Sequence, residues 1–319
     1  MSSTKQNFFY LFNFCYNFFM DPVTHTLSGF VLGKTLSKNR LILAIILVSS
    51  LMPDIDILTR LYSKELFLMY HRGITHGIGA LFLFPLLPGI IFRKKLGFLK
   101  AYCCSFIAYA LHLFLDLTNQ YGTKIFSPFD WNSYNLSLTF IIDPYVLIPL
   151  LLAVFLSIKF KKQAKFLYIF SLAFIALYIA TKAYLKAEAI DFLKQKIEAH
   201  QYRVYPLPND FLRWWFVARH SDEYITGFVD LFTKRVYGDE KYKIKNDPAI
   251  IKSKEAEAVR ALLSFAKHPV AEIKHEGDVT VVVWKELSYG FLPNDRFTAK
   301  VWLKETPQGY KIINANLKI

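Results

Sequence analysis

Cysteine is scarce in this chain: Cys15, Cys103 and Cys104 are the three that 319 residues contain. An odd count placed inside apolar runs provides neither a disulfide framework nor a thiolate zinc cluster, and reads most simply as small buried hydrophobes. Acidic residues are outnumbered, 25 against 39 Lys and Arg, for a formal charge of +14. No basic-aromatic module accompanies that charge, which argues against a nucleic-acid partner. No Gly-x-Ser-x-Gly segment offers a serine nucleophile. The small-residue cleavage pattern of a removable signal peptide is missing, and no internal repeat is visible.

What the chain has in excess is hydrocarbon. Hydrophobic residues make up 54%, phenylalanine alone contributing 30, above the usual apolar share. The excess lies before about Leu185. An aromatic run, Phe8 to Phe19, is too short for a comfortable span; it is an interfacial segment, a degenerate signal, or sequence preceding a true start at Met20. Six further apolar stretches follow: from Asp21-Pro22 to Leu36, Leu41 to Leu51, Ile78 to Phe92, Leu99 to Leu117, Leu136 to Phe160 and Phe166 to Leu185. Basic residues cluster between them at Lys34–Arg40, Arg93–Lys100 and Lys159–Lys165, as in cytoplasmic loops flanking membrane helices. The expected fold is mainly α: a polytopic transmembrane helical domain over residues 20–187, then a small soluble α+β domain over 188–319. In that second part the pattern predicts helices over Lys186–His200 and Ser253–Lys267. Strands are predicted at Trp214–Arg219, Tyr224–Phe232, Thr280–Glu286, Phe297–Leu303 and Tyr310–Leu317, with a final turn at Thr306–Gly309.

The chain centres on Tyr70-His71-Arg72-Gly73-Ile74-Thr75-His76-Gly77. Imidazole and charge next to hydrocarbon are costly unless paired, metal-bound or at the water boundary. Similar groups recur at the ends of neighbouring apolar runs: His25, Asp54, Asp56, His112, Asp116 and Asp143. With the lysine clusters placed in the cytoplasm, all of these fall at the opposite face. The charge rule contains no information about ligands, so the agreement supports a common site. His112 and Asp116, four apart, share one helix face. Asp54 and Asp56, two apart after Pro53, need an extended turn to point the same way, and His71 and His76 suit a loop-to-helix junction. Taken singly, each has a plain alternative: Asp143 before Pro144 is a natural helix N-cap, and His25 a simple interfacial residue. His200, His220, His268 and His275 show no ligand spacing and are expected on the surface or on strands. Trp214-Trp215 is expected in a core or at the membrane interface.

Four pieces in order resemble the predicted membrane-bound metal-dependent hydrolases, some of them described as LexA-regulated and catalogued as domain of unknown function 457. They are Met20-Asp21-Pro22-Val23-Thr24-His25, Pro53-Asp54-Ile55-Asp56, His71-Arg72-Gly73-Ile74-Thr75-His76, and His112 with Asp116 followed by Tyr121-Gly122. Pro206-Leu207-Pro208-Asn209 leading to Trp214 resembles the longer members. Gly77 departs from the pattern, standing where a serine is expected. The resemblance implies a start at Met20 and hydrolase activity.

The combined expectation is an integral membrane metal-dependent hydrolase of the bacterial cytoplasmic membrane. Its site and C-terminal domain would lie on the non-cytoplasmic side, with the bilayer itself as partner. One or two divalent ions, most simply Zn²⁺, would be held by some of His25, Asp54, His76, His112 and Asp116 and would activate water. Asp56 or His71 would act as general base or orienting group, and Arg72 would hold an oxyanion. The substrate would be a lipid or lipid-linked ester, including a phosphoester. The alternative is a non-catalytic membrane protein whose polar cluster serves ion transport, stress sensing or structure.

Overall fold

A computed structural model describes residues 20–293 and 295–319; the aromatic run at 8–19 lies outside them. The chain divides into two compact units. One comprises residues 20–55 together with Ile74–Lys182; the other comprises Asp56–Gly73 and Ala183–Ile319.

In the first unit, α1 (Met20–Leu36) is followed by α2 (Arg40–Leu51). The side chain of Asn39 accepts a hydrogen bond from Leu41 N and starts α2, satisfying one of the donors that a helix N-terminus leaves open. α2 ends where Pro53 opens a 3-10 segment, Pro53–Leu61. The helix α7 (Phe98–Thr118) packs on α2 through Ile42, Ile46 and Ala108. Ser49 and Ser105 hydrogen-bond across this interface at 2.7 Å. Where lipid competes for apolar contact, small and hydroxylated side chains are what hold helices together. Gly29 follows the same logic: a Cβ there would lie 2.3 Å from Ser50 Oγ.

Two predicted runs are shorter as helices than as hydrophobic stretches. Ile78 to Phe92 breaks at Pro85 into α4 (Ile78–Leu83) and α5 (Leu86–Ile91), ahead of the short basic turn α6 (Arg93–Leu96). Proline lacks an amide proton and clashes with the preceding turn. Leu136 to Phe160 becomes helical only at α8 (Pro144–Lys159). The residues before it run back along the end of α7, with Leu138 N donating to Thr118 O and Thr139 bridging Asn119. Cys103 is exposed on α7 rather than buried. Among the described residues, two helical segments, Phe98–Thr118 and Lys161–Lys196, are long and apolar enough to cross a membrane, and two broken helix pairs reach that standard only if each counts as one span. The second segment contains α9 (Ala164–Lys196).

The second unit holds two four-stranded antiparallel meanders. The first runs β1 (Gln201–Pro206), β2 (Arg213–His220), β3 (Glu223–Asp230), β4 (Arg235–Lys243); the second runs β5 (Pro269–Glu276), β6 (Val279–Glu286), β7 (Thr298–Thr306), β8 (Gly309–Lys318). Strands β4 and β5 carry many charged residues, and β1 is short and ends at Pro206, so none of the three stands out by alternation. The helix predicted over Ser253–Lys267 is found as α11 (Glu257–Phe265), and the short α10 (Pro248–Ser253) precedes it. Alternation along β2 separates two cores. Trp214, Phe216 and Ala218 pack with Ala189 and Leu193 of α9, while Trp215 and Val217 pack with Tyr205, Val270 and Leu287. The excursion at residues 56–73 contributes α3 (Lys64–Tyr70), which packs on α11.

Candidate metal centre

α7 sets the geometry of the centre. His112 and Asp116 lie one turn apart on it, with His112 Nε2 3.3 Å from Asp116 Oδ2. His76 closes a single 3-10 turn, Ile74–His76, and its Nε2 stands 3.1 Å from the same oxygen and 3.2 Å from His112 Nε2. Asp54, just past the end of α2, places Oδ1 3.6 Å from His76 Nε2 and 3.7 Å from His112 Nε2. All four residues are buried, and their ligating atoms lie within 4.8 Å of one another.

Three features of this cluster fit a cation. First, Ser50 O can only accept, so His112 Nδ1, 2.7 Å away, carries the proton, leaving Nε2 of the neutral ring as a bare lone pair aimed into the cluster. Second, neither oxygen of the buried Asp54 carboxylate has a hydrogen-bond partner among the described residues, a costly arrangement without a counter-charge. Third, the five donor separations just given run from 3.1 to 3.7 Å. Four ligands around an ion at ~2.1 Å stand ~3.4 Å apart in a tetrahedron. Two imidazoles and two carboxylates are a donor set suited to a divalent first-row ion.

Of the other expected ligands, His25 sits behind the cluster. Its Nε2 is 3.1 Å from Asp116 Oδ1, so the ring donates to the oxygen opposite the one aimed at His76 and His112. It also stacks on His112 with centroids 3.6 Å apart. It is thereby placed to orient two of the four donors. Asp143 caps α8, accepting from Tyr145 N at 3.0 Å and from Tyr178 Oη at 2.7 Å. It still lines, with His25, Asp116, Asn119 and Thr139, a cleft of about 30 Å³, room for about one water.

Asp56, His71 and Arg72 belong to the second unit and form their own network. His71 Nδ1 donates to Asp56 Oδ1 at 2.8 Å, and Arg72 N donates to Oδ2 at 2.9 Å. Arg72 takes a left-handed backbone, φ 56°, and is buried. Gly77 has a steric reason. A Cβ there would lie 2.5 Å from Ser127 O and closer still to its hydroxyl, where the chain passes to bond Ile78 N and Gly79 N to Ile125 O and Ser127 O. A serine has no room.

Sequence patterning missed His268. It lies between α11 and β5, partly buried, with Nε2 2.7 Å from Tyr205 Oη and its backbone amide 2.9 Å from Glu286 Oε2. Burial, then the nearby Arg203, Lys267 and Arg219 charges, push its imidazole down to about 3. The adjacent Pro269 marks a turn in the sequence, but nothing local announces the distant partners.

Comparison with known proteins places the centre in context. The chain is 29% identical over 197 residues to a Bacillus subtilis (strain 168) protein described as uncharacterized protein YfhP, covering 57% of this chain and 58% of that relative. The match therefore spans less than two thirds of the relative. No solved structure matches. Residues 20–189 match the YdjM inner membrane protein family, a stretch that contains all four converging side chains and is more than half of the chain. The protein belongs to the YdjM inner membrane protein family.

Proposed function

We propose that this protein is a membrane metal-dependent hydrolase that cleaves a lipid or lipid-linked ester, phosphoesters included. The observation that carries the reading is the convergence of Asp54, His76, His112 and Asp116. These four would hold a single divalent ion, Zn²⁺ being the simplest choice for two imidazoles and two carboxylates. Such an ion supplies water of pKa near ~7 and polarises the ester oxygen. His25 keeps Asp116 oriented, and the small cleft beside Asp116 is the route for water. Asp56 and His71 are assigned to proton transfer, and Arg72 to the substrate anion, on their chemistry and their place in the chain. Asp56 follows Asp54 by two residues and Arg72 precedes His76 by four. The lysine clusters support placing the centre and the C-terminal part on the non-cytoplasmic side.

A second reading has its own observation. Four protein ligands from buried positions are what a closed structural site uses, whereas catalytic zinc commonly keeps a position for water. A structural or sensing ion in a non-catalytic membrane protein fits that count. Protein purified in detergent and assayed against phospholipid and bis-(p-nitrophenyl) phosphate separates the two. Turnover that chelator abolishes, that the divalent ion restores and that Arg72→Ala loses with its metal retained supports the enzyme. Metal that stays bound, with no turnover of either substrate, supports the structural ion.

A further inference from the structure

The second unit carries a rim of positive charge on its first sheet. β1 and β2 pair with Gln201 opposite Arg219 and Arg203 opposite Val217, so Arg203 and Arg219 are diagonal neighbours on one face of the sheet. Tyr205 and Trp215 are opposite each other on the same face, which is the face that His268 reaches. The His268 ring meets Tyr205 and Tyr224 edge-on, with centroids 5.9 and 5.6 Å away. The Arg219 guanidinium lies over the Tyr224 ring at 5.7 Å. Lys267 adjoins His268 in the chain, and Lys186 of α9 lies within electrostatic reach of Arg203 and Lys267.

The side chains of Arg203, Arg219 and Lys267 are exposed. None of the three has a carboxylate within salt-bridge distance among the described residues. Glu286 is the acid beneath them, but it is buried and spends its oxygens on the amides of His268 and Ser288, at 2.9 and 3.0 Å. The floor is fixed as well. Trp215 Nε1 donates to Leu287 O at 2.7 Å and Leu287 N to His268 O at 3.2 Å. Like charges gathered on a rigid floor repel one another, and a dianion relieves that repulsion. Two guanidinium forks beside a lysine match the geometry and charge of a phosphate.

We propose that Arg203, Arg219 and Lys267, set around the Tyr205–His268 pair, form a binding site for a phosphate group, carried either by a free anion or by a lipid headgroup. The depressed imidazole of His268 is consistent with a positive potential at this place. The site stands independently of the metal centre.

The test uses the full-length protein in nanodiscs, with the thermal midpoint read by tryptophan fluorescence. Discs of phosphatidylcholine receive sodium phosphate or sodium chloride at matched ionic strength; other discs contain phosphatidylglycerol and no added phosphate. Protection by phosphate in the first set assigns a free anion, and protection only in the second assigns a headgroup. Either must weaken about tenfold or more in Arg203→Gln/Lys267→Gln, and be largely kept in the charge-preserving Arg203→Lys/Lys267→Arg. Arg219→Gln, a single exposed change, serves if the double variant does not fold, and must weaken protection likewise. Absence of protection in both sets, or equal protection in wild type and the neutralised variant, overturns the site.

Discussion

His112 Nε2 and His76 Nε2 face each other at 3.2 Å, and the proton of His112 is committed to Ser50 O on the other side of the ring. One of these nitrogens is therefore a bare lone pair directed at a second imidazole and at two carboxylates. A divalent cation resolves that arrangement directly.

Metal content is expected to separate ligand from cap. His112→Ala, His76→Ala and Asp116→Ala should each reduce bound metal at least tenfold in elemental analysis of purified protein. Asp143→Ala should keep it, because its carboxylate caps α8 and receives Tyr178 Oη. Full occupancy in both histidine variants would remove the chemical basis of the centre.

His25→Ala should weaken the metal without eliminating it. Its donation to Asp116 Oδ1 orients a ligand rather than supplying one, and loss of such a group costs roughly 10- to 100-fold in affinity. Competition with a graded chelator measures this. Loss as complete as in His112→Ala would make His25 a direct ligand.

Stability should fall in acid through His268. Its imidazole is held at about 3, below the ordinary 6.5, so the unfolded chain binds the proton more readily. The folded state thus gains stability above about 6.5 and loses it as the pH falls from there towards 3, on the order of a few kcal/mol in all. His268→Gln should flatten that part of the profile of thermal midpoint against pH. An unchanged slope would show that His268 does not carry the dependence.

Sidedness follows from the lysine clusters. In a background with the native cysteines replaced, Asn132→Cys should react with an impermeant thiol reagent from the non-cytoplasmic side, and Gln163→Cys only from the cytoplasmic side. Both positions are exposed. The opposite pattern would place the centre at the inner face.

The sequence by itself determined which residue types were at stake and that the apolar excess ends near Leu185. His112 and Asp116 were legible because helix periodicity puts positions four apart on one face. Asp54 and His76 were legible because charge at the end of an apolar run is expensive. Hairpins such as β7–β8, with Thr306-Pro307-Gln308-Gly309 between strands, carry their turn chemistry locally.

What only the tertiary structure decided depends on contacts between residues far apart in the chain. His25 and Asp116, 91 positions apart, had to be brought to 3.1 Å before one could be seen orienting the other. Asp56 turned to His71 instead of joining Asp54, because the chain leaves the first unit at that point. Gly77 was explained by Ser127 lying against it, and His268 acquired its surroundings from Tyr205 and Glu286. Periodicity and composition record how a segment meets its immediate neighbours; the direction of a lone pair, and the acceptor that fixes it, depend on the packing of several segments at once.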